Sequence, residues 1–122
     1  MEQYYYRRLE VYQHSKNLAM VVNDLIKSFP IEERYALSSQ LRRASTSVMF
    51  NIAEGFGRYS INDRLRFLEI ANGSLMETSR ELELAEAYGY ISDEELNQLD
   101  QQILSIVKQL AGLRKSLMAN NK

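Results

Sequence analysis

From Leu37 to Gly55 the sequence carries two parallel stripes at helical spacing, and this pairing constrains the fold more than any other feature of the chain. Leu37, Leu41, Ala44, Val48 and Ile52 recur at 4-3-4-4 intervals, the mark of one face of an α-helix. Gln40, Arg43, Ser47, Asn51 and Glu54 run beside them within an arc of about 80°. Polar groups on the flank of a buried face must find partners or destabilise the fold. The segment therefore speaks to architecture and assembly more than to chemistry.

Three further helices follow from punctuation and periodicity. Val11, Leu18, Val22, Leu25 and Phe29 share a face of a first helix, about residues 9–28, which Pro30 ends. The striped helix follows at about 33–54, its acids suited to a helix N-terminus and Gly55 near its end. Ser60 and Asp63 have the spacing of a capping box and open a third helix, about 61–88. That helix has Phe67, Leu68, Ala71, Leu75, Thr78, Leu82 and Ala85 on its inner face and closes at Gly89. Ser92 and Glu95 form a full S-x-x-E box before a fourth, about 93–118. There Leu96, Leu99, Ile103, Ile106, Leu110, Leu113 and Leu117 alternate at three and four residues. Gly73 and Gly112 lie inside helical patterns, where close helix contact is the usual reason for glycine. Nothing reads as a strand. The expected fold is all-α: one domain, residues 1–122, forming an antiparallel up-down-up-down four-helix bundle.

Bulk properties exclude several classes. The chain has 122 residues and no cysteine, so no disulfide, zinc–thiolate site or thiol nucleophile is available. No stretch approaches the roughly 18 apolar residues of a membrane span, and the first residues lack the apolar run of a signal peptide. A cytoplasmic, soluble protein is expected. Net charge is −1, with +2 over residues 1–60 and −3 over 61–122, too even for a strong global attraction to phosphate.

Catalytic constellations are absent. The single histidine, His14, sits near the apolar face of the first helix, and Val11 stands where a Glu-x-x-His motif needs its acid. No Gly-rich phosphate loop precedes a Lys-Ser/Thr pair. Glu54-Gly-Phe-Gly-Arg-Tyr59 has the glycines of an RNA-recognition signature. Its leading residue is acidic, and the segment is an interhelix turn where that signature needs a strand. No enzyme activity, cofactor or metal is expected.

Two surfaces remain. Met49, Phe50 and Phe56 fall off the buried stripe and predict a subunit interface. Arg58, Tyr59, Arg64 and Arg66 around the turn after the second helix form a basic–aromatic group, and Arg7 and Arg8 beside Tyr4, Tyr5 and Tyr6 form another. Both are candidate contacts for RNA or DNA. The polar stripe should meet Ser74 and Glu77 of the third helix, with Arg43 pairing with Glu77.

A family resemblance rests on Phe29-Pro30, Gln40-Leu-Arg-Arg-Ala44, Asn51-Ile-Ala-Glu-Gly55, Gly57-Arg58 and Gly73-Ser-Leu-Met-Glu77. With Leu9-Glu-Val-Tyr12 these cover nearly the whole chain. The sequence resembles the bacterial four helix bundle protein family, first noticed in intervening sequences of 23S ribosomal RNA genes and sometimes labelled a ribosomal protein. The resemblance implies a left-handed bundle and a ring-shaped homo-oligomer, commonly a pentamer, with no enzymatic activity to carry over. The family is similar in shape to accessory proteins of diversity-generating retroelements, which implies nucleic-acid binding. Ser45-Thr46 and Met49-Phe50 stand at positions the family varies, and the tyrosine-rich start departs from its pattern. The function expected is that of a non-catalytic, oligomeric binding or scaffold protein, with nucleic-acid binding as the alternative.

Overall fold

The structure, a computed structural model, describes residues 4–120, and every regular element among them is helical. A single turn, α1 (Tyr5–Arg8), precedes α2 (Glu10–Ile26). A 3-10 turn (Ile31–Glu33) leads into α3 (Leu37–Phe56), then α4 (Ile61–Ala87) and α5 (Asp93–Ala119). No helix among the described residues is long and apolar enough to cross a membrane.

Contacts give the direction of each helix. Going along α3 from Arg43 through Ser47 to Gly55, the facing residues on α4 run backwards from Glu81 through Ser74 to Phe67. His14 of α2 meets Gln109 of α5, while Phe29 beyond the end of α2 stacks near Tyr90 before α5 begins, ring centroids 5.3 Å apart. Consecutive helices are antiparallel, with α3 and α4 sharing the most extensive contact.

The apolar stripes meet along the bundle axis. Leu18, Val22, Leu41, Val48, Ile52, Leu75 and Leu82 are fully buried, and Leu99, Ile103, Ile106 and Leu110 close the core from α5. Hydroxyls within this core are satisfied locally: Ser15 Oγ donates to the Val11 carbonyl at 2.7 Å and Thr78 Oγ1 to the Ser74 carbonyl at 2.8 Å. Such back-bonds let small polar residues sit in a helix interior without an orphaned group.

Helix ends follow their side chains. The Ser60 hydroxyl accepts the Asp63 N–H at 3.1 Å. Ser92 and Glu95 cap reciprocally, at 3.0 Å and 2.9 Å. The α4 C-terminus is a Schellman turn: Tyr90 N–H reaches the Ala85 carbonyl, Gly89 N–H reaches Glu86, and Gly89 takes φ +80°. At the same end of the bundle Tyr90 Oη donates to Glu33 Oε2 at 2.7 Å, while Glu33 Oε1 accepts the Leu37 N–H at 3.4 Å. Glu33 thus tops the first turn of α3 instead of opening the helix, so the striped helix starts four residues later than its acids suggest.

The glycines differ in their surroundings. Gly55 stands next to last in α3, near its end as expected, and is buried there: a Cβ would lie 3.0 Å from Phe67 Cβ and 3.4 Å from the Arg64 carbonyl. It is a point of close approach between α3 and α4. Gly73 and Gly112, expected to serve close helix contacts, would meet nothing within 4 Å in the protomer. Gly55→Ala is therefore expected to destabilise the fold by about 1–3 kcal/mol through overpacking. Gly112→Ala should stabilise it by roughly 0.5–1 kcal/mol. Urea denaturation of both variants measures the difference in sign.

The hydrogen bond to Glu33, with desolvation second, pushes the Tyr90 phenol up from 10.0 to about 12. A pKa raised by folding gives stability that is complete below the unfolded value and lost as pH rises through the folded one. Tyr90→Phe should lower the melting temperature at pH 8 and flatten the wild-type decline between pH 10 and about 12, as followed by thermal melts across that range.

Candidate functional site

The polar stripe of α3 forms a seam with α4. Asn51 Nδ2 donates to the Ser47 carbonyl at 2.8 Å and to Ser47 Oγ at 2.9 Å, and Ser47 Oγ lies 2.9 Å from Ser74 Oγ. The amide supplies Ser47 with a donor, leaving its own proton free for Ser74. Asn51, Ser47 and Ser74 thus form one chain of side-chain hydrogen bonds, and its Ser47–Ser74 link joins the two helices in register.

Beyond Ser47 the seam opens into a groove lined by Gln40 and Arg43 of α3 and Glu77, Arg80, Glu81 and Leu84 of α4. The expected Arg43–Glu77 ion pair does not form among the described residues; Glu77 points outward, exposed, on the groove rim. The buried acid is instead Glu81, only 7% exposed, with its Oε1 lacking a hydrogen-bond partner. Burial and then the neighbouring Glu77 push its carboxyl above the usual range, against the opposing pull of Arg80 and Arg43. Glu81 lies one helical turn beyond Glu77, so its place on the polar flank was visible; its depth was not, because depth depends on how closely α3 and α4 approach. Glu54, the last member of the stripe, turns away and pairs with Arg58.

At the other end the two basic–aromatic groups become one surface. The Tyr5 ring lies 6.0 Å from the Phe56 ring, docking α1 against the end of α3. Phe56 is therefore half-buried within the protomer, as is Met49, whereas Phe50 is 62% exposed. Each of five arginines caps a ring at 4.8–5.8 Å: Arg7 over Tyr4, Arg8 over Tyr5, Arg58 and Arg66 over Phe67, Arg64 over Phe56. Stacking on a ring holds a guanidinium at the surface while leaving its edge to bind an anion. Arg64 Nε also donates to the Arg58 carbonyl at 2.8 Å, stiffening the turn. Among the described residues Tyr59 has no such neighbour, and it is fully exposed. His14 lies apart on α2, its Nδ1 2.8 Å from Gln109 Nε2 and its Nε2 3.7 Å from Glu10.

Antiparallel packing also sorts the charge. Cutting each of the four long helices at its midpoint, the half containing α1 and the α3–α4 turn (residues 4–17, 47–73 and 107–120) holds nine Lys/Arg and four Asp/Glu, a balance of +5. The opposite half (18–46 and 74–106) holds five against eleven, a balance of −6. The near-neutral total conceals two ends of opposite sign. The first and second halves of the chain do not reveal this separation, since each helix hairpin spans both ends.

The pattern of one sequence family, described as 23S rRNA-intervening sequence protein, matches residues 7–112. A crystal structure from Bacteroides thetaiotaomicron, of a protein with unknown function from the S23 ribosomal protein family, is similar at a TM-score of 0.79 and 29% identity. The likeness covers 86% of this chain and 98% of that one. No curated protein matches.

Because folding raises the Glu81 pKa, the stability associated with its proton is complete below the ordinary value of 4.5 and lost as pH rises through the folded value. Glu81→Gln keeps the shape without the charge. In dilute protein it should raise the melting temperature at pH 7, with the advantage over wild type shrinking toward pH 4, as read by circular dichroism melts.

Proposed function

The chain belongs to the 23S rRNA-intervening sequence protein family, and from that premise we propose that it is a non-catalytic, self-associating scaffold of the cytoplasm. The observation that carries this reading is apolar surface left uncovered on the outer helix faces: Phe50, Ile70 and Leu84 are 62%, 44% and 42% exposed on α3 and α4. Large apolar side chains left exposed on two neighbouring helices are surface that a second subunit would cover. The polar groups support the same conclusion. Ser47, Ser74, Thr78 and Asn51 bond to one another and to backbone, and His14 meets an amide, so among the described residues none of these groups sets a base against a nucleophile.

A second reading, contact with RNA or DNA, is favoured by the arginine-capped aromatic end. Guanidinium edges attract phosphate, while exposed Tyr59, Tyr4 and Tyr5 offer stacking faces for unpaired bases. A homo-oligomer repeats that end once per subunit, and avidity multiplies a modest single-site affinity. The acidic half keeps the rest of the protein off the polyanion.

Native mass measurement, with and without nuclease treatment of the extract, tests both. The scaffold reading expects a homo-oligomer, five subunits for a ring of the kind the resemblance implies, and a monomer at every concentration would overturn it. The nucleic-acid reading expects single-stranded RNA or DNA to shift in a gel at low salt. Affinity should fall steeply with salt, and Arg64→Glu with Arg66→Glu should reduce the slope of log K against log salt by about 1 for each phosphate no longer neutralised. Absence of any shift at low salt would refute it.

A further inference from the structure

A groove of about 360 Å³ runs between α4 and α5. Leu68 and Leu110 form its buried floor, and Val107 and Ala111 stand on its α5 wall. Leu104, 53% exposed, lies one turn before Val107, and Met76, 45% exposed, lies one turn beyond Asn72 of the opposite wall, so the apolar surface continues past the groove. Its ends differ in charge. Asp100 stands seven residues before Val107 on the same face of α5 and Arg114 seven residues after it. Both are exposed, and neither is in an ion pair among the described residues.

The outer ridge of α3 carries the converse pattern. Phe50, 62% exposed, has Arg43 seven residues before it and Glu54 four residues after it, both exposed on the same face. Ridge and groove also stand at one level along the bundle. Phe50 is three residues beyond Ser47, whose hydroxyl meets Ser74, so in the antiparallel pair it lies level with Ala71. Leu68 and Leu110 share the groove floor, and the connection at residues 88–92 gives the same register, so Ala71 lies level with Val107. Counted in the same way, Arg43 lies level with Asp100.

We propose that the outer ridge of α3 of one copy of this chain seats in the α4–α5 groove of the next, with Phe50 entering against Val107 and Ala111. Arg43 then pairs with Asp100 of the next copy, and Glu54 faces its Arg114. Ridge and groove occupy different sides of the bundle, so the contact is heterologous: each copy gives its ridge to one neighbour and its groove to the other. Facing groups already share a level, so neighbours are related by rotation about an axis along the bundle without a slide. Such a contact closes into a ring, five subunits included, where a stagger would generate an open helix. Charge fixes the direction, because a reversed neighbour would bring Arg43 toward Arg114 and Glu54 toward Asp100. Every copy therefore points the same way, and the ring gathers the basic ends on one face and the acidic ends on the other. The groove between α2 and α5 does not compete for the phenyl ring: Asn17, Gln98, Gln101 and Gln102 line it with amides.

This inference rests on the self-association proposed above and names the two surfaces that carry it. Sedimentation equilibrium and native mass measurement on wild type, Phe50→Glu, Ala111→Arg, Arg43→Glu, Asp100→Arg and the double charge exchange test it. All four positions are exposed, so the variants should fold, which circular dichroism verifies. Phe50→Glu removes the knob and Ala111→Arg fills its seat, and each should reduce the protein to monomers. Each single charge variant sets like charges at every joint and should weaken association roughly tenfold or more. The double exchange restores opposite charges and should recover the wild-type subunit number. A purely monomeric wild type would defeat both this contact and the scaffold reading. An oligomer that persists with Phe50→Glu or Ala111→Arg, or that the double exchange fails to recover, would overturn the contact and leave the scaffold reading standing.

Discussion

The rest of the structure depends on how closely α3 approaches α4. At Gly55 the two backbones are near enough that one added methyl group would press on Phe67 and the Arg64 carbonyl. That approach lets Ser47 and Ser74 touch about two helical turns further along the pair, and it places Glu81 below the surface instead of on it. The same contact sets the tight turn at residues 57–60, from which Arg58, Arg64 and Arg66 project over Phe56 and Phe67. A looser pair of helices would lose the register of the seam and scatter the arginines together.

The register is held by neutral hydrogen bonds, and charge has little part in it. Each contributes about 0.5–1.5 kcal/mol net, but leaving one partner buried and unmade costs more than the bond gives. Sliding α3 by one turn would break the Ser47–Ser74 bond, through which the Asn51–Ser47 pair on α3 reaches α4. The ion pair of Glu54 with Arg58, by contrast, is half-exposed at both ends, the kind of contact that contributes little to stability. Specificity of packing thus resides in a few uncharged groups along α3 and α4, while charged groups occupy the ends and the outer ridges.

Much of the architecture was legible in the chain. The stripes of α2, α3, α4 and α5, the Ser60 cap, the Ser92–Glu95 box and the Gly89 stop are local signals, and local signals were enough to find four long helices. What escaped depended on distance between helices. Gly55 and Gly73 look alike in sequence, and only the packing of α4 shows that the first is pressed upon and the second open. The structure joins Ser47, Ser74 and Asn51 by hydrogen bonds, whereas Arg43 and Glu77 both line the groove without an ion pair between them among the described residues. The one-turn helix α1, and its docking of Tyr5 on Phe56, joined two basic groups that are about fifty residues apart in the chain. Acids at Glu32 and Glu33 gave a false start for α3, because Glu33 is occupied by Tyr90 and the Leu37 amide.

The separation of charge along the bundle gives this protein an electric dipole out of proportion to its net charge. In a uniform field such a molecule would feel almost no force and a considerable torque. It would turn before it drifted. Near any extended charged surface, of either sign, it should present the complementary end and hold the other outward. On ion exchangers it would behave as two proteins in one, retained by cationic and anionic resins alike at a pH where its titration curve crosses neutrality.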